Sequence, residues 1–270
     1  MRSHNSFFFL LICIVLFGIL SGCAEDEDRN LRTDLPTEAN QIFLISRLQY
    51  EHLFTALTPY QQFLNPEGLV LPGCPDVKVE EDLKRITLTY REVEGCENSD
   101  RRTGVIILDL ALQNSSVPRW FMEFKDYTFE GDTIQGIKTF GQIGPGEVIE
   151  TFEMLRIIAE NQSSFVLNGA LTHSYNSFNL ETDLISSIGE INGKNPVGRQ
   201  ITSRNSQPLI SAKSCFLAED NLPVSGEELW EIQRGNSNSV LHTLKYETSG
   251  ICETTAKMVL PDGRNLILNP

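Results

Sequence analysis

Arg85-Ile86-Thr87-Leu88-Thr89-Tyr90 alternates polar and apolar side chains one for one, and that period of two decides the fold. In an extended strand it sends Ile86, Leu88 and Tyr90 to one face and Arg85, Thr87 and Thr89 to the other. The same half-buried pattern recurs at Phe165, Leu167 and Leu171, with Gly169 on their face, and at Val240, His242, Leu244 and Tyr246. Turn signals punctuate these runs: Glu130-Gly131-Asp132, Asn192-Gly193, and Pro261-Asp262-Gly263 between Met258-Val259-Leu260 and Leu266-Ile267-Leu268. Short runs with frequent turns and little helical pattern between them argue for an antiparallel sheet over β-α-β units. The fold class is therefore mainly β. Residues 67–270 read as one large antiparallel meander of roughly ten to fourteen strands, shaped as a clam, a barrel or a sandwich. The stretch 185–212, richer in Ser, Asn and Gly, reads as a long hairpin tip within a continuous sheet, and Gly141, Gly144 and Gly146 as a flexible loop. No strict internal repeat supports a propeller or solenoid.

Upstream the period changes. Ala39, Ile42, Phe43, Ile45, Leu48, Leu53 and Leu57 recur at three- and four-residue spacings after Thr37, with Pro59 and Pro66 beyond them. Residues 38–66 thus form an N-terminal helical segment, with Thr37 as the cap of one amphipathic helix near 38–57. The acids Glu38 and Glu51, against Arg47 as its base, argue for docking on the sheet over lying on a membrane.

Residues 1–22 read as an export signal: Arg2 near the start, an apolar run from Phe7 to Leu20, then Ser21-Gly22-Cys23. The run has 14 residues, short of the roughly 20 that span a bilayer. Leu20-Ser21-Gly22-Cys23 fits a lipobox, so the Cys23 thiol is the expected site of lipid attachment. Acyl chains such as palmitate would hold it to the membrane at about 0.8 kcal/mol per buried methylene. Ala24 lacks the Asp of an inner-membrane retention signal, which points to the outer membrane. The run Glu25-Asp26-Glu27-Asp28 opens an acidic tether over residues 23–37 and points to the cell surface, with a periplasm-facing placement as the alternative.

Removing residues 1–22 takes away Arg2 and no acid, so 21 Lys and Arg face 36 Asp and Glu, a net charge of −15. Phosphate backbones and anionic headgroups are repelled, and nucleic acid is excluded as a partner. The expected partners are the membrane, through the lipid, and a glycan or an envelope protein. With Cys13 lost and Cys23 acylated, Cys74, Cys96, Cys215 and Cys252 remain. Four cysteines allow three pairings, and we favour Cys74 with Cys96 and Cys215 with Cys252, because each pair brackets neighbouring strands. No Cys-x-x-Cys occurs and no His lies close in sequence, so these thiols do not read as a zinc site.

No residue is nominated as catalytic. His52, His173 and His242 stand alone, the last two continuing apolar strand faces as hydrogen-bonded core-edge histidines would. The Gly-x-Ser-x-Gly elbow is absent, no metal site or cofactor is indicated, and Asp132-Thr133-Ile134 is too short to mark an O-glycosylation acceptor. A possible ligand surface is the cluster Trp120 to Phe129. Alternation puts Trp120, Met122 and Phe124 on one face and Phe121, Tyr127 and Phe129 beside Glu123 and Lys125 on the other. Rings beside polar side chains suit the stacking of a sugar, and dense core packing gives the same pattern.

Cys74-Pro75-Asp76-Val77, the strand Arg85 to Tyr90, Gly95-Cys96 and Asp100-Arg101-Arg102-Thr103-Gly104-Val105-Ile106-Ile107 together resemble uncharacterised bacteroidete-type surface lipoproteins. Phe124-Lys125-Asp126-Tyr127 with Gly131 and Gly136, then Pro208-Leu209, Cys215, Ser225-Gly226 and Gly250-Ile251-Cys252, match later elements in order, so the resemblance spans residues 72–268. It implies an all-β fold, an envelope address and the favoured cysteine pairing, and it transfers no activity. The expectation is a non-catalytic lipid-anchored lipoprotein of the outer membrane or cell surface, with an adhesion, envelope or accessory binding role. Its alternatives are a glycan-binding accessory protein of a nutrient-uptake system and, further off, an envelope hydrolase requiring His173 or His242 to meet an acid or hydroxyl in a cleft.

Overall fold

A computed structural model describes residues 34–65, 69–96, 98–113, 116, 118–175, 184–218, 222–235, 238–250 and 252–268. The expected signal, Cys23 and the acidic run lie outside them. Helix α1 (Leu35–Tyr50) is followed by the short α2 (Leu53–Leu57) and α3 (Tyr60–Leu64). Then come strands β1 (Asp76–Glu80), β2 (Arg85–Tyr90), β3 (Arg102–Asp109), β4 (Arg119–Phe129), β5 (Asp132–Gly144), β6 (Glu147–Ile158) and β7 (Ser164–Ser174). The chain continues through β8 (Leu184–Lys194), β9 (Gln200–Ala212), the short helix α4 (Lys213–Leu217), β10 (Ser225–Arg234), β11 (Asn238–Thr248), β12 (Thr254–Val259) and β13 (Asn265–Leu268).

All thirteen strands form one antiparallel sheet in chain order, β1 to β13, and the two edge strands do not pair with each other. The meander is therefore an open, curved sheet, neither a closed barrel nor a sandwich of two sheets. In β2 the expected alternation holds residue by residue, with Ile86, Leu88 and Tyr90 buried. Each large apolar side chain buried this way contributes about 1.5–3 kcal/mol. Glu130 and Gly131, both at positive φ (51° and 83°), close the β4–β5 hairpin in two residues between the pair Phe129 and Asp132. That left-handed pair matches the twist of the flanking strands.

Three other turn or loop expectations are corrected. Asn192-Gly193 lies inside β8, paired with Asn168 and Leu167 of β7 and with Thr202 and Ile201 of β9. The stretch 185–212 is two long strands joined at residues 195–199, and Gly141 and Gly144 belong to β5.

Bulges bend the long strands. β4 carries an extra residue between Phe124 and Tyr127, where Asp126 sits at φ 48°, and β6 carries one between Phe152 and Leu155, where Met154 sits at φ 54°. Each bulge kinks its strand and reverses the inward and outward parity beyond it. Gly104, facing the first bulge across β3, has no room for a side chain: a Cβ there would lie 2.1 Å from the Asp126 carbonyl oxygen.

The curved inner face receives the N-terminal helices. Helix α1 starts at Leu35, so Thr37 lies within its first turn, and residues 35–37 belong to the helix, not to the tether. Every residue from Ile45 to Thr58 is buried, which makes this segment an enclosed core element. The Trp120 indole N–H donates to the Ala56 carbonyl at 2.7 Å. Disulfides join Cys74 to Cys96 around the β1–β2 hairpin and Cys215 on α4 to Cys252 in the β11–β12 turn. Among the described residues no helix is long and apolar enough to cross a membrane.

Candidate functional site

Polar chemistry on the inner face concentrates where α1 and its continuation meet the sheet. Glu51 receives the Arg102 guanidinium of β3 at 2.9 Å and the Tyr127 hydroxyl of β4 at 3.4 Å, with His52 against its other oxygen. Burial alone would raise its carboxyl. The facing charges of His52 and Arg102 reverse that and hold it at about 2. Burial keeps His52 itself below its ordinary value.

Glu150 of β6 repeats the arrangement: its Oε1 meets Lys138 Nζ of β5 at 3.1 Å and the Gln49 side-chain amide of α1, and its Oε2 meets His173 Nε2 of β7 at 3.1 Å. Again burial pushes the carboxyl up, and Lys138 and His173 bring it down to about 2. Glu38, at the other end of α1, faces Arg199, Arg234 and His242. Arg47 reaches Glu130 and Asp132 at the β4–β5 turn. α1 is thus wired to most of the sheet.

Glu228 of β10 is different. It accepts from the Trp230 indole at 3.1 Å and sits near Ser46, with no cation facing it among the described residues, so burial raises its carboxyl to about 7.

The histidine sought for a hydrolase is present in geometry. His173 Nδ1 lies 2.8 Å from Ser187 Oγ while its Nε2 faces Glu150, giving an acid, imidazole and hydroxyl in line. All three residues are at most 1% exposed. An attacking hydroxyl must reach a substrate carbonyl, which burial to this degree prevents; the array ties β6, β7 and β8 together.

The aromatic cluster is divided by the β4 bulge. Trp120, Tyr127 and Phe129 are all buried on the inner face, which corrects the alternation expected for Tyr127 and Phe129. Phe129 lies beneath the guanidinium groups of Arg47, Arg101 and Arg102 at 4.9–5.3 Å. Phe121 alone of the four faces outward. It borders a groove of about 710 Å³ that crosses β4 to β8.

The floor of that groove follows the cross-strand ladder from Thr139 through Thr151 to Ala170 and Glu190. Ile137, Glu153, Asn168 and Asn192 rise around it. The Asn168 amide oxygen accepts from the Met154 backbone N–H at 2.9 Å, so the second bulge also fixes this wall. A second concavity of about 300 Å³ shares Glu190 and Asn192 and continues past Arg204 and Glu231 to Leu241 of β11. Sequence reasoning singled out Phe121 and missed the rest, whose signal is a run of small polar residues at outward parity in consecutive strands.

Comparison with family models, with curated proteins and with solved structures finds no match.

Proposed function

We propose that the chain is a non-catalytic lipoprotein of the bacterial outer membrane, anchored by acyl chains on Cys23 and displayed at the cell surface in an adhesive or accessory binding role. The observation that carries the non-catalytic part is the burial of Ser187, His173 and Glu150. That acid–imidazole–hydroxyl array joins β6, β7 and β8, and its Glu150 also receives the Gln49 amide of α1. The two disulfides accord with an oxidising compartment outside the cytoplasm, and the acidic run 25–28 accords with surface display.

Metabolic labelling with radioactive palmitate tests the anchor. Wild type takes up label and Cys23→Ala does not; an unlabelled wild type refutes the reading. Protease treatment of intact cells separates the two orientations, since a surface-displayed domain is shaved and a periplasm-facing one is spared.

A second reading, a glycan-binding accessory role, is favoured by one observation: Phe121 borders an open groove whose walls carry amides, hydroxyls and carboxylates.

A further inference from the structure

We infer that the outer-face groove bordered by Phe121 is a binding site for an electrically neutral polysaccharide, engaged along its chain and not at its end. This deepens the glycan-binding reading and rests on it.

Three features select that ligand class. First, the groove lies in mid-sheet, where the strands beneath it are paired on both sides. An extended peptide would find no free backbone N–H or C=O to pair with, as it would at a sheet edge. What projects instead are side-chain hydroxyls, amides and carboxylates, a surface suited to a ligand ringed with hydroxyl groups.

Second, the groove has one ring and a low floor. Phe121 stands beside Thr139, and Thr151 and Ala170 leave the space over the next two strands open. The C–H face of one pyranose can lie on the phenyl ring while hydroxyls of the sugars that follow it along the trough reach Glu153, Glu190 and Asn192. The mixed lining disfavours an acyl chain, whose methylenes would strand those polar groups.

Third, length and charge narrow the class. Four interstrand steps from β4 to β8 make a trough of about 19 Å, which the second concavity extends, so a linear chain fits better than a single sugar. Glu153, Glu190 and Glu231 line the two concavities against one base among the described residues, Arg204, which lies across from Glu190, and on a chain with 36 acidic against 22 basic residues this balance disfavours uronates and sulfated glycans.

The test is affinity electrophoresis of the purified domain through native gels containing starch, mixed-linkage β-glucan, galactomannan or, as the anionic arm, polygalacturonate. Wild type is retarded by at least one neutral polymer and not by polygalacturonate. Phe121→Ala weakens that retardation roughly tenfold. Ala170→Trp, at an exposed floor position that leaves the core untouched, blocks it independently, while Ile267→Ala on β13 changes nothing. Thermal melting confirms that each variant is folded. Free migration of wild type through every neutral polymer, retention by polygalacturonate alone, or equal retardation of wild type and Ala170→Trp overturns the inference. None of these outcomes touches the palmitate labelling that tests the anchor, so the two readings fail separately.

Discussion

Lys138 and Thr139 are neighbours in β5, and Glu150 and Thr151 are neighbours in β6, yet each pair is split between two environments. Lys138 and Glu150 point inward and are 2% and 1% exposed, while the two threonines point outward into an open groove. The face sealed from water holds closely paired charges, while the floor of the groove on the open face is mostly small side chains with carboxylates and amides beside it. This inversion is tolerable because each inward charge has a partner supplied by α1 or by an adjoining strand: Arg102 with Glu51, Lys138 with Glu150, Arg234 with Glu38. Burying an ion costs several kcal/mol unless it is paired and hydrogen-bonded. The inner face therefore specifies where α1 sits, and the outer face is free for recognition.

The sharpest way to break this arrangement is to orphan one inner charge. Arg102→Met keeps much of the side-chain bulk and leaves Glu51 without its cation. The expected loss is about 3–5 kcal/mol, read from the midpoint of urea unfolding. Arg102→Met combined with Glu51→Gln should recover part of it. A loss below about 1 kcal/mol for the single variant would show that the Arg102–Glu51 pair does not fix the helix.

Within the inner face, Glu228 contrasts with Glu51 and Glu150. For the latter two the folded pKa, about 2, lies below the ordinary 4.5 of a free glutamate, so their stabilisation is full above 4.5 and is lost as pH falls toward 2. For Glu228 the folded pKa, about 7, lies above 4.5. The folded state then holds a proton that the unfolded state has released, and stability falls as pH rises from 4.5 to 7. The difference is about 3 kcal/mol. Glu228→Gln, which keeps an acceptor for the Trp230 indole, should match wild type at pH 4.5 and exceed it by that amount at pH 7.5. His52, whose folded pKa is lowered, contributes in the opposite sense below 6.5, and comparison of the two proteins at each pH cancels it. Equal stabilities at both pH values would mean that Glu228 is not buried as a neutral acid.

A smaller effect belongs to Ser187. Ser187→Ala removes one hydrogen bond to His173 Nδ1 and should cost about 1 kcal/mol, measured by thermal melting. A loss far above that would mark the hydroxyl as more than a packing contact.

How much of this was legible in the sequence follows from what alternation can carry. Ile86, Leu88 and Tyr90 announced a strand with a buried face, and the pattern extends to a whole meander because each strand needs only its neighbour. The outward parity expected for Tyr127 was misread because Asp126, a bulge residue at φ 48°, shifts the phase of β4 by one without any local signal such as a glycine. Glu38 and Glu51 were read as acids unfavourable to membrane contact. Apart from the neighbouring His52, their partners Arg102, Arg199, Arg234 and His242 lie 51 or more residues away, and long-range pairing of charges is invisible to any periodicity. The clue that was available is charge at inward parity, as at Lys138 between Ile134 and Phe140, or Glu228 two residues before Trp230. The groove escaped notice because its floor is defined by what four strands lack, and an absence of bulk becomes a concavity only once the register aligns Thr139, Thr151 and Ala170.

The smallest prediction probes the outer face itself and should carry the opposite sign. Met154 is 68% exposed and held at φ 54°, a conformation that costs an ordinary residue about 1–2 kcal/mol and glycine almost nothing. Its side chain contributes little burial to set against that cost, whereas its backbone N–H is fixed by the Asn168 amide. Met154→Gly should therefore raise stability by up to about 1 kcal/mol, the relief of strain being partly offset by the greater freedom of glycine in the unfolded chain. The gain is read as a rise in melting temperature, with binding at the groove unchanged because the bulge is retained. A loss of more than about 1 kcal/mol would show that the methionine side chain supports the groove wall, and the division between a sealed, specifying inner face and a permissive outer face would have to be redrawn at this strand.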